Sequence, residues 1–202
     1  GPSSQATFFP ESIIMKKASR KEQVYQLHVS IFYSEPLIWR RVLVPGTATL
    51  ENLHYVMQAL MGWTNSHAHV WIINKKYYGD PAMGDEGNFA PEAKHHLQDL
   101  VQKAKAKFVY EYDFGDSWTH NIVVEKIMAP EKASSLLECL DGERATPPED
   151  CGGIPGYMQL LEDLEKPRSV ARKEALEILG KKFDPAVFDP KVPNKTLKKF
   201  LR

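Results

Sequence analysis

His67-Ala68-His69 and the run Asp113-Phe114-Gly115-Asp116-Ser117-Trp118-Thr119-His120 hold the densest supply of metal-binding and proton-carrying groups in this 202-residue chain. Alternate residues of a strand share a face, so His67 and His69 could direct two imidazoles at one divalent metal ion. Asp116 and His120 add a carboxylate and a third imidazole, donors that suit the same class of ion. These four are the candidate metal ligands, and the chemistry they would support is metal activation of a water molecule. The plainer alternative is architectural. Gly115 permits a sharp turn or bulge, Asp113 and Asp116 cap its amides, and Phe114 and Trp118 pack. Asp113 fits that turn role better than a ligand role.

Cys139 and Cys151 are separated by eleven intervening residues and have no partner pair, which excludes a four-thiolate zinc site. Two thiolates with His67 and His69 would complete a tetrahedral set, whereas reduced loop cysteines need no metal. The chain has no G-x-S-x-G elbow, P-loop, G-x-G-x-x-G fingerprint or H-E-x-x-H helix.

The elements that must position these groups follow from periodicity. Residues 24–32 and 38–44 read as two strands joined by a short break, a β-hairpin. Thr49 is a helix N-cap, Leu50, Leu53, Val56, Met57, Leu60 and Met61 recur at helical spacing, and Gly62 terminates the run. His54 and Gln58 fall on another face of this helix, where a solvated role is expected. Residues 67–73 form a third strand with a short return at Tyr77-Tyr78. A surface loop at 79–91, a short helix near Leu97 and Leu100, and strands at 108–112 and 122–127 follow. A brief helix is expected within 129–137, a long loop at 139–156, and helices at 158–164 and 169–179 before a final turn at 196–201. The fold class is α+β: a mainly antiparallel or mixed sheet with a packed central helix, for which a β-grasp-like core is suitable, and C-terminal helices. Irregular alternation excludes a doubly wound sheet.

Gly1-Pro2 reads as the remnant of a cleaved tag, with 1–20 as a flexible lead-in, 21–165 as the core domain and 166–202 as a helical appendage. Basic and acidic side chains number 26 each, so no global field draws the chain to nucleic acid or anionic lipid. No apolar run approaches the ~18 to 20 residues of a membrane span, and two cysteines make no disulfide scaffold, so a cytoplasmic location is expected.

Three ordered motifs carry a resemblance. They are Trp63 with His67-Ala68-His69, Tyr110-x-Tyr112-Asp113-Phe114-Gly115-Asp116-x-Trp118-x-His120, and Cys139-x-x-Gly142 with Pro147-Pro148-Glu149-Asp150-Cys151-Gly152-Gly153 and Gly156-Tyr157. Together they resemble the plasmid Ri ORF-three-like family, whose members are often labelled transposon passenger proteins of the TnpR type. The resemblance implies an α+β fold and a link to mobile elements, and supplies no activity. None of the seven histidines has an arginine three residues on, as a tyrosine recombinase requires, and no serine lies in a serine-recombinase setting. Thr146 stands where many relatives carry a further cysteine.

Two functions compete on these residues. The first is a non-catalytic, mobile-element-associated binding module that contacts nucleic acid or a protein partner. Trp63, Asp113, Trp118, Glu149, Asp150 and Tyr157 would be its contact residues, with C-terminal lysines to hold phosphates. The second is a metal-dependent hydrolase or nuclease using His67, His69, Asp116 and His120.

Overall fold

Segments rich in β-branched and aromatic residues recur between positions 24 and 143, and the chain assembles them into one sheet. The computed structural model describes residues 9–10, 13–15, 22–83 and 88–201. Its strands are β1 (Val24–Ile31), β2 (Trp39–Pro45), β3 (His69–Ile73), β4 (Lys76–Gly79), β5 (Ala90–Pro91), β6 (Lys107–Tyr112), β7 (Trp118–Met128) and β8 (Glu138–Glu143). They form an eight-stranded sheet in the order β5-β4-β3-β6-β7-β1-β2-β8. Every pairing is antiparallel except β4 with β5. The architecture is therefore mixed α+β.

Helix α1 (Leu50–Met61) crosses one face of this sheet. Its Leu53, Val56 and Met57 meet Leu27, Val29, Val42, Trp71, Phe108 and Ile122, all buried. The helix starts and stops where the sequence requires. Thr49 and Asn52 form a reciprocal capping box, and Gly62 takes the left-handed conformation at φ 67°. On the opposite face Glu125 occupies a bulge between β1 and β7 and accepts two hydrogen bonds from Arg41, at 2.7 and 3.1 Å.

Two elements depart from expectation. The stretch from Cys139 was expected as loop, yet Glu138–Glu143 pairs with β2 as an edge strand. Its alternation is weak because Asp141, Gly142 and Glu143 face solvent or the next segment. Helix α3 (Gly153–Leu164) begins five residues earlier than the Leu-rich pattern suggests, with Pro155 tolerated in its first turn. Helices α2 (Leu97–Leu100), α4 (Val170–Leu179) and α5 (Lys191–Leu197) follow the expected positions closely, except that α5 starts earlier.

The expected lead-in at 1–20 lies mostly outside the described residues. Within it Ile13 and Met15 are buried, and Met15 bridges to Leu201. Phe9 packs edge-on against Tyr55 and Phe200. The C-terminal part also contributes to the core, through Ala175, Leu197 and Phe200. Arg40 reaches it from β2. Wholly buried, its guanidinium donates to the Trp39 and Glu143 carbonyls and to Thr146 Oγ1, and lies 3.7 Å from the Phe188 ring centroid. Burial lowers the Arg40 pKa to about 10. Among the described residues no helix is long and apolar enough to cross a membrane.

Candidate functional site

Three loops meet at one end of the sheet: the turn after α1 (63–67), the β6–β7 turn (113–117) and the segment 147–153 between β8 and α3. Local chemistry makes each of them tight. Asn65, Asp113, Ser117 and Asp150 all adopt positive φ between 54° and 62°, as do Gly152 and Gly153 at 93° and 69°. Left-handed non-glycine residues cost energy and persist where surrounding contacts hold them, which is common at functional sites.

Trp63, Tyr112 and Glu149 fasten the first loop to the third. Trp63 Nε1 donates to the Pro147 carbonyl at 3.0 Å, and its ring stacks on Tyr112 with centroids 5.0 Å apart. The Tyr112 hydroxyl donates to Glu149 Oε1, while Thr64 N and Oγ1 donate to Glu149 Oε2 at 3.0 and 2.8 Å. Burial, then the bond to Glu149, raises the Tyr112 pKa well above that of a free phenol. Glu149 is thus saturated by its own loops and has little capacity left for a ligand.

Asp113, Asp116 and Gly153 join the second loop to the third. Asp113 Oδ1 accepts from the Gly115 and Asp116 amides at 3.1 and 3.3 Å. Asp116 Oδ2 accepts from the Gly152 amide at 3.3 Å. Turn capping therefore uses one oxygen of Asp113 and leaves Oδ2 turned toward His67.

That arrangement creates a three-residue cluster. His67 Nε2 lies 2.7 Å from Asp150 Oδ1 and 3.7 Å from Asp113 Oδ2. One donor atom from each of the three lies within 4.8 Å of the others. The 2.7 Å separation is that of an ion pair, yet the nitrogen is shielded from solvent and makes no well-aligned hydrogen bond among the described residues. Two carboxylates and an imidazole are in contact without a proper hydrogen bond to hold them together.

The structure divides the other expected ligands among different places. His67 lies ahead of β3, in a bend, so the strand alternation that would have aligned it with His69 does not apply. His69 faces the other way, where its Nε2 contacts both Glu92 oxygens at 2.9 and 2.8 Å and its ring stacks on His54 at 3.5 Å and 7°. His120 is fully buried beside Trp63. Its Nδ1 donates to the Tyr110 carbonyl at 3.2 Å, and burial lowers its pKa to about 4. Asp116 turns one oxygen to the Gly152 amide and stands outside the cluster. Only His67 of that quartet joins the cluster, and Asp113 and Asp150 complete it.

Among the expected contact residues, Trp63, Trp118 and Tyr157 are buried to 3% exposure or less, so none offers a ring face to a base. Cys139 and Cys151 are free thiols, each pushed up to about 11, mainly by burial, so neither is a ready thiolate. His54 and Gln58, expected on a solvated face, are instead buried. His54 contacts Tyr110 Oη at 2.7 Å and Asn65 Oδ1 at 2.8 Å, and Gln58 donates to Tyr110 Oη. Burial drives His54 well below the usual imidazole pKa. The signal for Asp150 was present in Glu149-Asp150-Cys151-Gly152-Gly153, since aspartate before glycines tolerates left-handed backbone. Its convergence on His67 was not legible, because 83 residues separate them.

Comparison with known proteins identifies the family. Residues 23–192 match the family described as plasmid pRiA4b ORF-3-like protein, and the chain belongs to that family. It is 39% identical over 160 residues to the uncharacterized protein y4hQ of Sinorhizobium fredii, covering 78% of this chain and 81% of that one. The crystal structure of MM3350 from Methanosarcina mazei Go1, titled a protein of unknown function, superposes with a TM-score of 0.75 at 35% identity, covering 84% of this chain and 97% of that one.

Proposed function

We propose that this member of the plasmid pRiA4b ORF-3-like family is a divalent-cation-dependent binding module, with the ion held by His67, Asp113 and Asp150. The observation that carries this reading is the His67 ring nitrogen, buried and close to two carboxylates yet without a well-aligned hydrogen bond among the described residues. Two carboxylates beside one imidazole nitrogen would attract a divalent cation, and an ion held among them would join all three side chains. Ligands at ~2.0 to 2.2 Å from a common ion stand roughly 2.9 to 3.5 Å apart, and the observed 2.7 and 3.7 Å separations bracket that spacing. One nitrogen and two hard oxygens suit manganese, zinc or ferrous ion better than a thiophilic metal.

Three protein ligands leave coordination positions for an external oxygen ligand, the arrangement of catalytic rather than structural metal sites. Asp150, the most exposed of the three, gives that side access to solvent. This favours a second reading, hydrolysis of a phosphoester, in which the ion would supply an activated water. The free thiols fit a reducing, cytoplasmic setting.

Thermal melting with added Mn2+, Zn2+ or Mg2+ tests the first reading. A saturable rise in Tm, absent in His67→Ala and Asp150→Asn, is expected, because a ligand of the native state alone stabilises it. No rise in the wild-type protein with any of these ions would overturn the proposal. Turnover of bis-p-nitrophenyl phosphate with the same ions, lost in Asp150→Asn, would establish the hydrolytic reading, and its absence in metal-loaded protein would exclude that reading alone.

A further inference from the structure

The chain's zero net charge conceals a segregation. Residues 166–202 hold eleven lysines and arginines against four aspartates and glutamates, a net +7, so residues 1–165 carry −7. Part of this positive charge lines a groove of about 810 Å³ between α5 and the start of β8. Lys191 and Lys195, one turn apart on α5, and Lys198 in the turn that follows it stand along this groove, whose lining also includes Ser134 and Ser135.

From these observations we infer that the α5–β8 groove binds the sugar–phosphate backbone of a nucleic-acid strand. Glu138, the one acid lining the groove, lies 3.4 Å from the Ser134 hydroxyl. Among the described residues the three lysines form no ion pair. Like charges held in a concave groove repel one another, and a ligand carrying regularly spaced negative charge relieves that repulsion. Lys195 lies about 6 Å beyond Lys191 along the helix axis and Lys198, in the turn that follows α5, roughly 4.5 Å further, a row that matches a repeating polyanion better than a single acidic group. The groove has no aromatic lining, so the contact is to phosphate and reads no base. Its concavity suits a strand rather than the flat surface of a bilayer.

Fluorescence anisotropy of a labelled oligothymidylate, with the full chain and EDTA present, provides the test. EDTA removes any contribution of the His67 site, so this experiment fails or succeeds independently of the cation reading. Binding should weaken with salt at a log–log slope of about −2, as three phosphate contacts to a single strand require. Lys191→Gln/Lys195→Gln/Lys198→Gln should bind at least tenfold more weakly and lose most of that slope. Arg168→Gln/Lys173→Gln, which changes the separate basic groove on α4, should leave binding within about twofold. Melting curves show whether the α5 variant is folded, and Lys195→Glu alone serves if the triple change unfolds it. No binding at low salt, binding unchanged in the folded α5 variants, or equal affinity for polyglutamate or anionic vesicles would each overturn the inference.

Discussion

A methyl group added at Gly153 would lie 2.2 Å from the carbonyl oxygen of Asp116. Helix α3 thus starts in direct backbone contact with the β6–β7 turn, and only the absence of a side chain allows it. Gly153 is also left-handed at φ 69°, so an added Cβ meets both a clash and an unfavourable conformation. Gly153→Ala should cost at least about 2 kcal/mol. It should also separate Asp150 from His67. Urea unfolding measures the first effect, and loss of the metal-induced Tm rise in variant protein that is still folded measures the second.

Glu149 holds the same face together through bonds from Tyr112 and Thr64. Tyr112→Phe removes the charge-assisted bond to Glu149 and the acceptor of the Ser66 amide, and should cost about 1 to 3 kcal/mol. Glu149→Ala leaves the Thr64 amide and the Tyr112 hydroxyl without their shared acceptor, so its cost in urea unfolding should exceed that of Tyr112→Phe. A larger loss in Tyr112→Phe would show that the bond from the Ser66 amide to the hydroxyl, at 2.9 Å, outweighs the bonds to the carboxylate.

His120 makes stability depend on pH, with a sign fixed by its environment. Burial lowers its folded pKa to about 4 from 6.5. Between those values the unfolded chain binds a proton that the folded chain does not, so stability is full above pH 6.5 and falls as pH drops toward 4. The slope is about 1.4 kcal/mol per pH unit for one such histidine. His54 is shifted in the same direction, with burial the largest cause, and contributes likewise. Urea unfolding at pH 7, 6 and 5 should show wild-type protein losing stability more steeply than His120→Gln by about that slope.

Arg40 ties β2 to β8 and to the C-terminal segment with no carboxylate partner among the described residues. Arg40→Met would leave the Glu143 carbonyl without its guanidinium donor and remove the cation over Phe188. A cost of about 2 to 4 kcal/mol is expected, with faster amide exchange around Phe188. Arg40→Lys should recover little, since a single ammonium cannot reproduce the planar fork that reaches two carbonyls and Thr146.

What the sequence determined by itself was local. Thr49, the Leu and Met spacing and Gly62 fix α1 at both ends, because capping and periodicity act within a few residues. The strands at 24–31 and 107–112, the Asp–Gly turn and the three motif stretches were legible for the same reason. Tertiary structure decided which side each polar group faces. His67 and His69 are two residues apart, yet β3 begins only at the second, so one joins Asp113 and Asp150 while the other stacks on His54 beside Glu92. His54 and Gln58 read as solvated until Tyr110 of β6 came to lie against them. Asp150 reaches His67 only because Gly153 lets α3 start against the β6–β7 turn. Periodicity records whether a position is apolar. It does not record the partner that makes a buried histidine affordable, because that partner lies in another strand or loop and is brought there by the packing of the sheet.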